Sequence, residues 1–421
     1  MKRVALHWQI AAALLLAIVA GSLSPADGRL VAAGGFIGAL FLSALKMIVV
    51  PLIVSSLIQA LLSLPDASAL GRMGVKALLY YTITCLLAIL AGLLMVNAIQ
   101  PGIIDGAPAG PRLGLAKTAE DVLATVGNRH LGDVVDVFKR MVPPNLFQAA
   151  AEGDILGLIL FSMLFGYFAS RLPDGLADTQ RQFWTGLRDV MLAITGLIMR
   201  FAPLGVFGLV TKTVALTGWA AIKPLALFFA AVLGGLALHL FVTLPATIWV
   251  LGRASPWRHF KAMSPALLTA FSSSSSAATL PVTLDCLTQR AHVSPRVTGF
   301  VLPLGASINL DGSALYECAV AMFLAQAYGL DLSFGTQFAI VWMALVTSMG
   351  ITGIPSSSLV GIAIILGAIG LPLEGVGAIM ATDRILDMCR TAVNVFGDSC
   401  GAVVVARMEG ESGVLAEDPA S

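Results

Sequence analysis

Long apolar stretches dominate this chain of 421 residues and constrain its fold more than any other feature. A helix that crosses a bilayer needs about 20 consecutive, mostly apolar residues. Only 12% of the residues are charged, against about 25% in ordinary soluble domains. We therefore predict an all-α polytopic membrane protein with eight transmembrane helices, some of them long enough to be tilted or kinked. The predicted spans lie near 6–24, 36–63, 76–99, 146–170, 187–214, 221–251, 297–326 and 374–407.

Two further segments, 256–290 and 335–371, have apolar arms and a polar centre. Five consecutive serines occupy 272–276, and Gly, Thr, Pro and Ser interrupt the second segment at 350–358. Irregular backbone at membrane depth is tolerated only inside protein or beside a wet cavity, and paired interrupted segments indicate a transporter binding site. We predict two re-entrant helical hairpins. Exposed serine-rich loops are the alternative, which the apolar arms and the near absence of charge at the tips disfavour.

The distribution of charge predicts the orientation of the chain. Basic residues near the N-terminus and at 72–76, 171–188 and 253–261 fall on one side under the eight-span count, so that side and both termini are expected to be cytoplasmic. A net charge of +1 gives no bias toward a nucleic-acid partner. The first apolar stretch shows no convincing cleavage site and is interpreted as a membrane helix. The five cysteines form no metal-binding spacing and are expected to be free thiols.

The last apolar stretch, 376–407, carries a polar stripe of five residues. They are four, three, four and four positions apart, so at about 100° per residue they share roughly a quarter of the helix circumference. An intramembrane polar stripe marks a ligand or ion pathway by default. The members are Asp383, Asp387, Arg390, Asn394 and Asp398.

This stripe combines groups that suit a zwitterion and small cations. Arg390 offers a planar fork of donors to a carboxylate, and Asp387 can accept an ammonium. Asn394 and Asp398, one and two turns further on, offer oxygen ligands to a hard cation. A purely structural ion pair between Asp387 and Arg390 is the alternative, although the other three polar residues extend the stripe well beyond one pair.

A second polar cluster interrupts the 297–326 span. Asn309 and Asp311, two positions apart, cannot share one face of a regular helix, so we expect the backbone to unwind there. Unwound carbonyls and carboxylate oxygens are typical of a sodium site in transporters. Glu317 is interpreted either as a hydrogen-bonded core residue or as a proton carrier.

The serine tips present hydroxyls and helix N-termini that suit a substrate carboxylate, and nothing in the sequence favours an enzyme. The chain lacks the GxSxG pattern of a nucleophilic serine. The five histidines lie near predicted ends, in loops or at isolated positions, so none suggests a catalytic triad. The segment before Asp398 also lacks the GxGD pattern of intramembrane aspartyl proteases.

Together these motifs resemble the dicarboxylate/amino-acid:cation symporter family, the glutamate transporter homologues. The resemblance covers about 5–408 and rests on the serine-rich hairpin that ends at Pro281, the 309–313 motif, the Gly-Ile-Pro of the second hairpin and the 383–398 stripe. It implies a homotrimer in the lipid bilayer and an elevator mechanism with the second hairpin as outer gate. The implied division is a scaffold (1–70 and 101–218), a transport domain (71–100 and 219–408) and a disordered tail (409–421).

The resemblance also implies residue roles. Arg390 would hold the side-chain carboxylate of aspartate or glutamate, and Asp387 would hold the amine. The full set of implied substrate contacts is Ser275, Ser276, Ser313, Ile354, Ser358, Asp387, Arg390, Thr391 and Asn394. The implied sodium sites are Gly305, Asn309, Asn394 and Asp398; then Ser307, Ser348, Met349 and Ile351; then Tyr81, Thr84, Asn309 and Asp311.

This chain departs from the family pattern at several positions. Cys85 replaces the usual serine beside the third sodium site. Ser274 and Met388 stand where other members carry an arginine, and Arg384 is the candidate for that helper charge. Glu317 matches the glutamate of proton-coupled members, so proton co-transport beside sodium is a hypothesis.

The predicted function is secondary active symport of acidic amino acids with Na+, and by hypothesis H+, in a bacterial inner membrane. A C4-dicarboxylate carrier is the nearest alternative, but Asp387 would repel a substrate that lacks an amine. A neutral amino acid carrier would leave Arg390 unpaired at a cost of several kcal/mol. An ion channel is the alternative from a different class.

Overall fold

The protein is almost entirely helical. The computed structural model describes residues 6–25, 27–62, 67–115, 142–152, 155–330, 333–350 and 358–415. Within these ranges the only sheet is a short antiparallel ribbon of β1 (Ile103–Ile104) and β2 (Ala107–Pro108). This architecture confirms the all-α class.

The first half of the chain follows the predicted apolar stretches, with one correction. The stretch 187–214, predicted as one span, is two helices that meet at Phe201 with a bend of 52°, and the first of them begins already at Asp174. Pro203 lies in the first turn of the second helix, and proline cannot donate to the preceding turn. The helices are α1 (Leu6–Leu23), α2 (Arg29–Leu62), α3 (Ala67–Ile99), α4 (Leu146–Glu152), α5 (Ile155–Ala169), α6 (Asp174–Arg200) and α7 (Ala202–Thr217).

The second half of the chain contains the interrupted segments. The 221–251 stretch is one continuous path of α8, a π-helical turn (His239–Thr243) and α9. The 297–326 stretch breaks at Asn309 and Leu310, which confirms the unwinding predicted from the Asn309–Asp311 spacing. The helices are α8 (Ile222–Leu238), α9 (Leu244–Val250), α10 (Pro256–Ser273), α11 (Ser276–Asp285), α12 (Pro295–Ile308), α13 (Asp311–Ala327), α14 (Phe334–Gly350), α15 (Ser358–Ile369) and α16 (Val376–Met408).

Both predicted hairpins are represented by a pair of helices. In the first, α10 and α11 pack on each other and are joined at Ser274, whose left-handed backbone (φ 51°) ends α10, and at Ser275, whose hydroxyl caps α11. In the second, α14 and α15 also pack together. The tip between them, 351–357, lies outside the described residues.

Two groups of helices can be distinguished by their contacts, although the groups also touch each other, as α7 touches α16. In one group α2 contacts α5, α6 and α7, and α1 contacts α7. In the other, α3, α14, α15 and α16 surround α13, all of whose 17 residues are buried. Glycines allow the closest approach in the first group: a Cβ on Gly34 would lie 3.2 Å from the Cα of Gly208. Small residues at such crossings are typical of membrane helices.

The exterior of the described region is apolar. Leu15, Phe36 and Trp249 are 66%, 70% and 71% exposed, as suits side chains that face lipid. By length and composition, Arg72–Ile99 and Ile222–Val250 are able to cross a membrane, and the bent α6–α7 pair adds a third path if it is taken as one span. The count of eight spans stays a prediction.

Residues 409–415, which we name the C-terminal strap, correct the prediction of a disordered tail. Val414 is fully buried, and the Leu415 N–H donates to the Ala291 carbonyl at 2.9 Å. The Glu411 carboxylate accepts from the backbone N–H of Ser294 at 3.0 Å and from its hydroxyl. Apolar burial and an acid at the start of α12 therefore order this segment despite its polar composition.

Two cations hold the other side of the strap. Arg407 donates to the carbonyls of Glu411, Ser412 and Val414 at 3.1, 2.7 and 2.8 Å. Lys76 of α3 forms an ion pair with Glu409 at 2.7 Å, and this ammonium lowers the pKa of the Glu409 carboxyl. The strap thus ties the end of α16 to α3 and to the turn before α12. Residues 416–421 of the predicted tail lie outside the described residues.

Candidate functional site

The polar stripe of α16 is buried along its whole length. Arg390 is fully buried, and the other four members are at most 6% exposed. Burial of five polar residues is costly unless each finds a partner, so their partners define the site. Those partners come mainly from α16 itself and from the break between α12 and α13.

Arg390 is paired with two carboxylates of its own helix. Its guanidinium donates to Asp387 Oδ1 at 2.7 Å and to Asp383 Oδ1 at 3.1 Å. Arg384 also donates to Asp387, at 3.3 Å. Asp383 is therefore the second partner of Arg390, and Arg384, the predicted helper charge, adds a cation beside Asp387. The site holds two guanidinium groups and two carboxylates.

The aromatic ring of Tyr316 covers Arg390. The guanidinium carbon lies 3.9 Å from the ring centroid, a distance at which a cation is attracted to the π face. Tyr316 belongs to α13 and is fully buried. Sequence reasoning missed it, because an isolated tyrosine in an apolar stretch carries no signal of what it faces.

The first turn of α13 packs against the middle of the stripe. The Gly312 N–H donates to Asn394 Oδ1 at 2.8 Å, and the Asn394 amide donates to the Ser313 hydroxyl at 3.3 Å. A Cβ on Gly312 would lie 2.7 Å from the Arg390 carbonyl oxygen, so only glycine permits this approach. Three predicted substrate residues, Ser313, Arg390 and Asn394, are thereby brought together.

Residues of the predicted first sodium site lie close together at the break. The Asn309 amide donates to Asp398 Oδ1 at 3.0 Å, and a Cβ on Gly305 would lie 2.8 Å from the same oxygen. Asn394, one turn before Asp398, is bound to the other side of the break through Gly312. Among the described residues, Asn309 Oδ1 has no hydrogen-bond partner. A buried acceptor without a donor is suited to a cation.

The predicted third sodium site is only partly assembled. The Tyr81 hydroxyl donates to the carbonyls of Val301 and Asp398, both at 3.2 Å. The Thr84 hydroxyl donates to the Tyr81 carbonyl at 3.2 Å, so both hydroxyls keep lone pairs for a cation. Cys85 contributes no oxygen, and its sulfur lies 3.4 Å from the Ser348 hydroxyl, a residue of the predicted second sodium site.

A histidine that sequence analysis did not select lies beside Asp311 of the predicted third site. His239 Nε2 is 3.1 Å from Asp311 Oδ2, and both side chains are fully buried. In the sequence His239 was an isolated residue of an apolar stretch. The signal that could have selected it is its position in the middle of the apolar 221–251 stretch, because a polar side chain inside a membrane helix bundle needs a partner.

The remaining predicted residues are placed as follows. Ser276 and Ser358 are buried first residues of α11 and α15, Ser275 caps α11 by accepting from the Ala278 N–H, and the Thr391 hydroxyl donates to the Asp387 carbonyl. Ser307 lies in α12, and Ser348 and Met349 lie in the last turn of α14. Ile351 and Ile354 lie outside the described residues.

Glu317, the residue after Tyr316 in α13, is fully buried. Its Oε2 accepts from the Thr347 hydroxyl at 2.8 Å, and its Oε1 has no partner among the described residues. A Cβ on Gly361 would overlap the Glu317 carboxyl group, so glycine at this position makes room for the acid. The half-satisfied carboxyl is compatible with both interpretations made from the sequence.

The chain is similar to known proteins over nearly its whole length. The model of the sodium:dicarboxylate symporter family matches residues 6–408. The chain is 35% identical to the proton/sodium-glutamate symport protein of Bacillus caldotenax, over 98% of this chain and 96% of the relative. It is 34% identical to the proton/glutamate-aspartate symporter of Escherichia coli, over 96% and 93% of the two chains, and 34% identical to mouse excitatory amino acid transporter 3, over 96% and 86%. The chain therefore belongs to the sodium:dicarboxylate symporter family.

Proposed function

We propose that this protein is a secondary active symporter that moves acidic amino acids with Na+ and H+. The observation that carries the proposal is the Asp383–Asp387–Arg390 cluster, buried beside Asn394 and the Asn309–Asp311 break. A zwitterionic acid offers a carboxylate to Arg390 and an ammonium to Asp387. Substrate binding would thus replace the internal ion pair with two new ones and conserve the charge balance of the buried site. The relatives are named as glutamate and glutamate-aspartate symporters, which supports the same substrate class.

Sodium would enter as cargo on both sides of the break. Gly305, Asn309, Asn394 and Asp398 supply carbonyl, amide and carboxylate oxygens, the ligands that discontinuous helices offer to Na+. Asp311, with Tyr81 and Thr84, would serve a further ion. Glu317 would carry the proton: it is buried beside the site, and only one of its oxygens is bonded within the described part of the chain.

During transport, one of the two helix groups described above would move relative to the other. The group of α1, α2, α5, α6 and α7 would form the fixed scaffold of a homotrimer, and the group around α13 would move as an elevator with the second hairpin as gate. An apolar cavity of about 380 Å3 lies between α1, α7, α8 and α16, which supports a loosely packed boundary there. The inner-membrane location and cytoplasmic termini belong to the same proposal.

Uptake into proteoliposomes tests the function. Separate Na+, H+ and K+ gradients should show that inward Na+ drives accumulation of labelled aspartate or glutamate, and that an inward proton gradient adds to it. Unlabelled glutamate and aspartate should compete, whereas succinate and alanine should not. Competition by succinate but not by glutamate would instead establish a dicarboxylate carrier. Flux that does not saturate and shows no counterflow would establish a channel.

A further inference from the structure

We propose that His239 is a positioning residue for a cation site at Asp311: its Nε2–H holds one carboxylate oxygen and leaves the other for the ion. The inference rests on the proposed sodium coupling and deepens it. His239 lies in the π-helical turn that follows α8. It belongs to none of the predicted sodium or substrate sets.

The two oxygens of Asp311 have different surroundings. Oδ2 lies 3.1 Å from His239 Nε2, and a Cβ on Gly397 would lie 2.8 Å from it, so the α16 backbone closes its other side. Oδ1 is buried and has no hydrogen-bond partner among the described residues. One oxygen of the carboxylate is therefore held by the protein, and the other is unsatisfied within the described residues.

A second orphaned oxygen accompanies it. Asn309 uses its amide nitrogen to bind Asp398, which leaves Asn309 Oδ1 buried and without a partner within the described ranges. Asn309 and Asp311 flank the single residue Leu310 in the unwound segment. Two buried acceptors that lack donors in the described structure, one on each side of the break at Leu310, are suited to a cation rather than to another acceptor.

The hydrogen-bond inventory indicates which form of His239 does this. The Nε2 must donate, since a carboxylate oxygen can only accept. Nδ1 is buried and unpartnered in the described structure. The Nε2–H of His239 thus fixes the rotamer of Asp311. His239 also begins the π-helical turn His239–Thr243, and such turns are frequent at functional sites.

Residues that orient a metal ligand commonly change metal affinity by about 10–100-fold when they are replaced. We therefore expect His239→Met, which keeps size without a donor, to raise the half-saturating Na+ concentration for aspartate binding at least about tenfold. Binding should recover at high Na+. His239→Gln, which restores an N–H, should stay within about threefold of the parent protein.

Purified full-length protein is titrated with Na+ at fixed aspartate, and binding is followed by calorimetry, with uptake in proteoliposomes measured in parallel. The matched control is His259→Met. His259 is equally buried, and its Nε2 forms a hydrogen bond with the Ser399 hydroxyl at 2.9 Å. Neither of these two residues belongs to a predicted cation site. Na+ dependence of the parent protein tests the proposed function itself. If the parent shows none, the function fails and the inference with it.

Three results with a Na+-dependent parent overturn only the inference. One is an unchanged Na+ titration in His239→Met. Another is a lower half-saturating Na+, which would make His239 a competitor of the ion. The third is an equal shift in His259→Met, which would indicate general loosening. If His239→Met does not fold, a tenfold shift in His239→Gln still contradicts the proposal, because the donor is retained.

Discussion

Arg390 has a buried charge that is balanced within its own helix. Asp383 and Asp387 lie seven and three positions before it, and both accept from its guanidinium. The Asp387–Arg390 contact follows from helical spacing and was predicted. Asp383 lies two turns from Arg390 and reaches it only because the long arginine side chain extends back toward the N-terminus of the helix.

Replacing this arginine should change substrate class. In Arg390→Cys we expect uptake of aspartate and glutamate to fall about 10–100-fold, since a hydrogen bond to a charged group contributes about 1.5–3 kcal/mol. Serine or cysteine uptake should appear, because the remaining Asp387 still accepts an amine. Competition assays in proteoliposomes measure both effects. Arg384→Cys is the matched control and should keep its preference for acids; retained aspartate transport in Arg390→Cys would refute the assigned role.

Removing the acid at 317 should separate protons from sodium. In Glu317→Gln we expect uptake to lose its dependence on a pH gradient, while Na+-dependent aspartate binding changes by less than about threefold, because glutamine keeps an oxygen for Thr347. Uptake at several pH gradients with a constant Na+ gradient measures this. Glu374→Gln, at an exposed position, is the control. A variant with the parent's pH dependence would eliminate Glu317 as the proton carrier.

Residue positions within one helix could be inferred from the sequence, and contacts between helices could not. The 383–398 stripe and the break at Asn309 both follow from helical periodicity. His239 and Asp311 are 72 positions apart, and their contact depends on how α8 and α13 are aligned along their axes. The close approach of Gly361 to Glu317 likewise depends on how two helices pack. Only the packed structure determines such pairs.

At the scale of elements, the C-terminal strap shows why composition misled. Its glutamates and glycines are typical of a disordered tail, yet Arg407 satisfies three of its carbonyls and Glu411 caps the start of α12.

The existence of the helices was predicted well, because the length of an apolar stretch is a strong signal. The bend at Phe201 was not predicted, because the apolar stretch 187–214 runs through it without a break. The start of α6 was missed because its first turns are polar and hydropathy does not mark them as part of a span.

The strap should loosen when its carboxylate is removed. In Glu411→Ala we expect backbone amides of 409–415 and the first turn of α12 to exchange hydrogen about fivefold faster, which corresponds to the loss of about 1 kcal/mol of local stability. Hydrogen exchange with mass spectrometry measures this. Ser412→Ala removes a side chain but keeps the bonded carbonyl, so it should exchange like the parent. Equal rates in both variants would contradict the role of Glu411.

At the scale of the whole molecule, the boundary between the helix groups can be bridged. A Cβ on Gly377 of α16 would lie 3.5 Å from the Cβ of Leu209 in α7, and disulfides need a Cβ–Cβ distance of about 3.5–4.5 Å. The predicted elevator requires these two helices to slide past one another. A covalent bridge at this point therefore tests whether transport needs that motion.

We expect the double variant Leu209→Cys with Gly377→Cys to lose more than about nine-tenths of its uptake on oxidation while it still binds aspartate, since a structural disulfide prevents displacement of the bridged backbones. Reduction should restore uptake. Each single variant, oxidised in the same way, is the control. Full uptake by the cross-linked protein would exclude relative movement of α7 and α16 during transport.

The C-terminal strap has a practical consequence for labelling the protein. Val414 is fully buried and Leu415 is bonded to the turn before α12, so a fluorescent reporter or affinity tag joined before residue 415 would displace the strap from α3 and from that turn. The same reporter joined beyond it leaves those contacts intact. Assays of trafficking or purification yield that use the earlier junction would then report on a loosened protein rather than on the transporter itself.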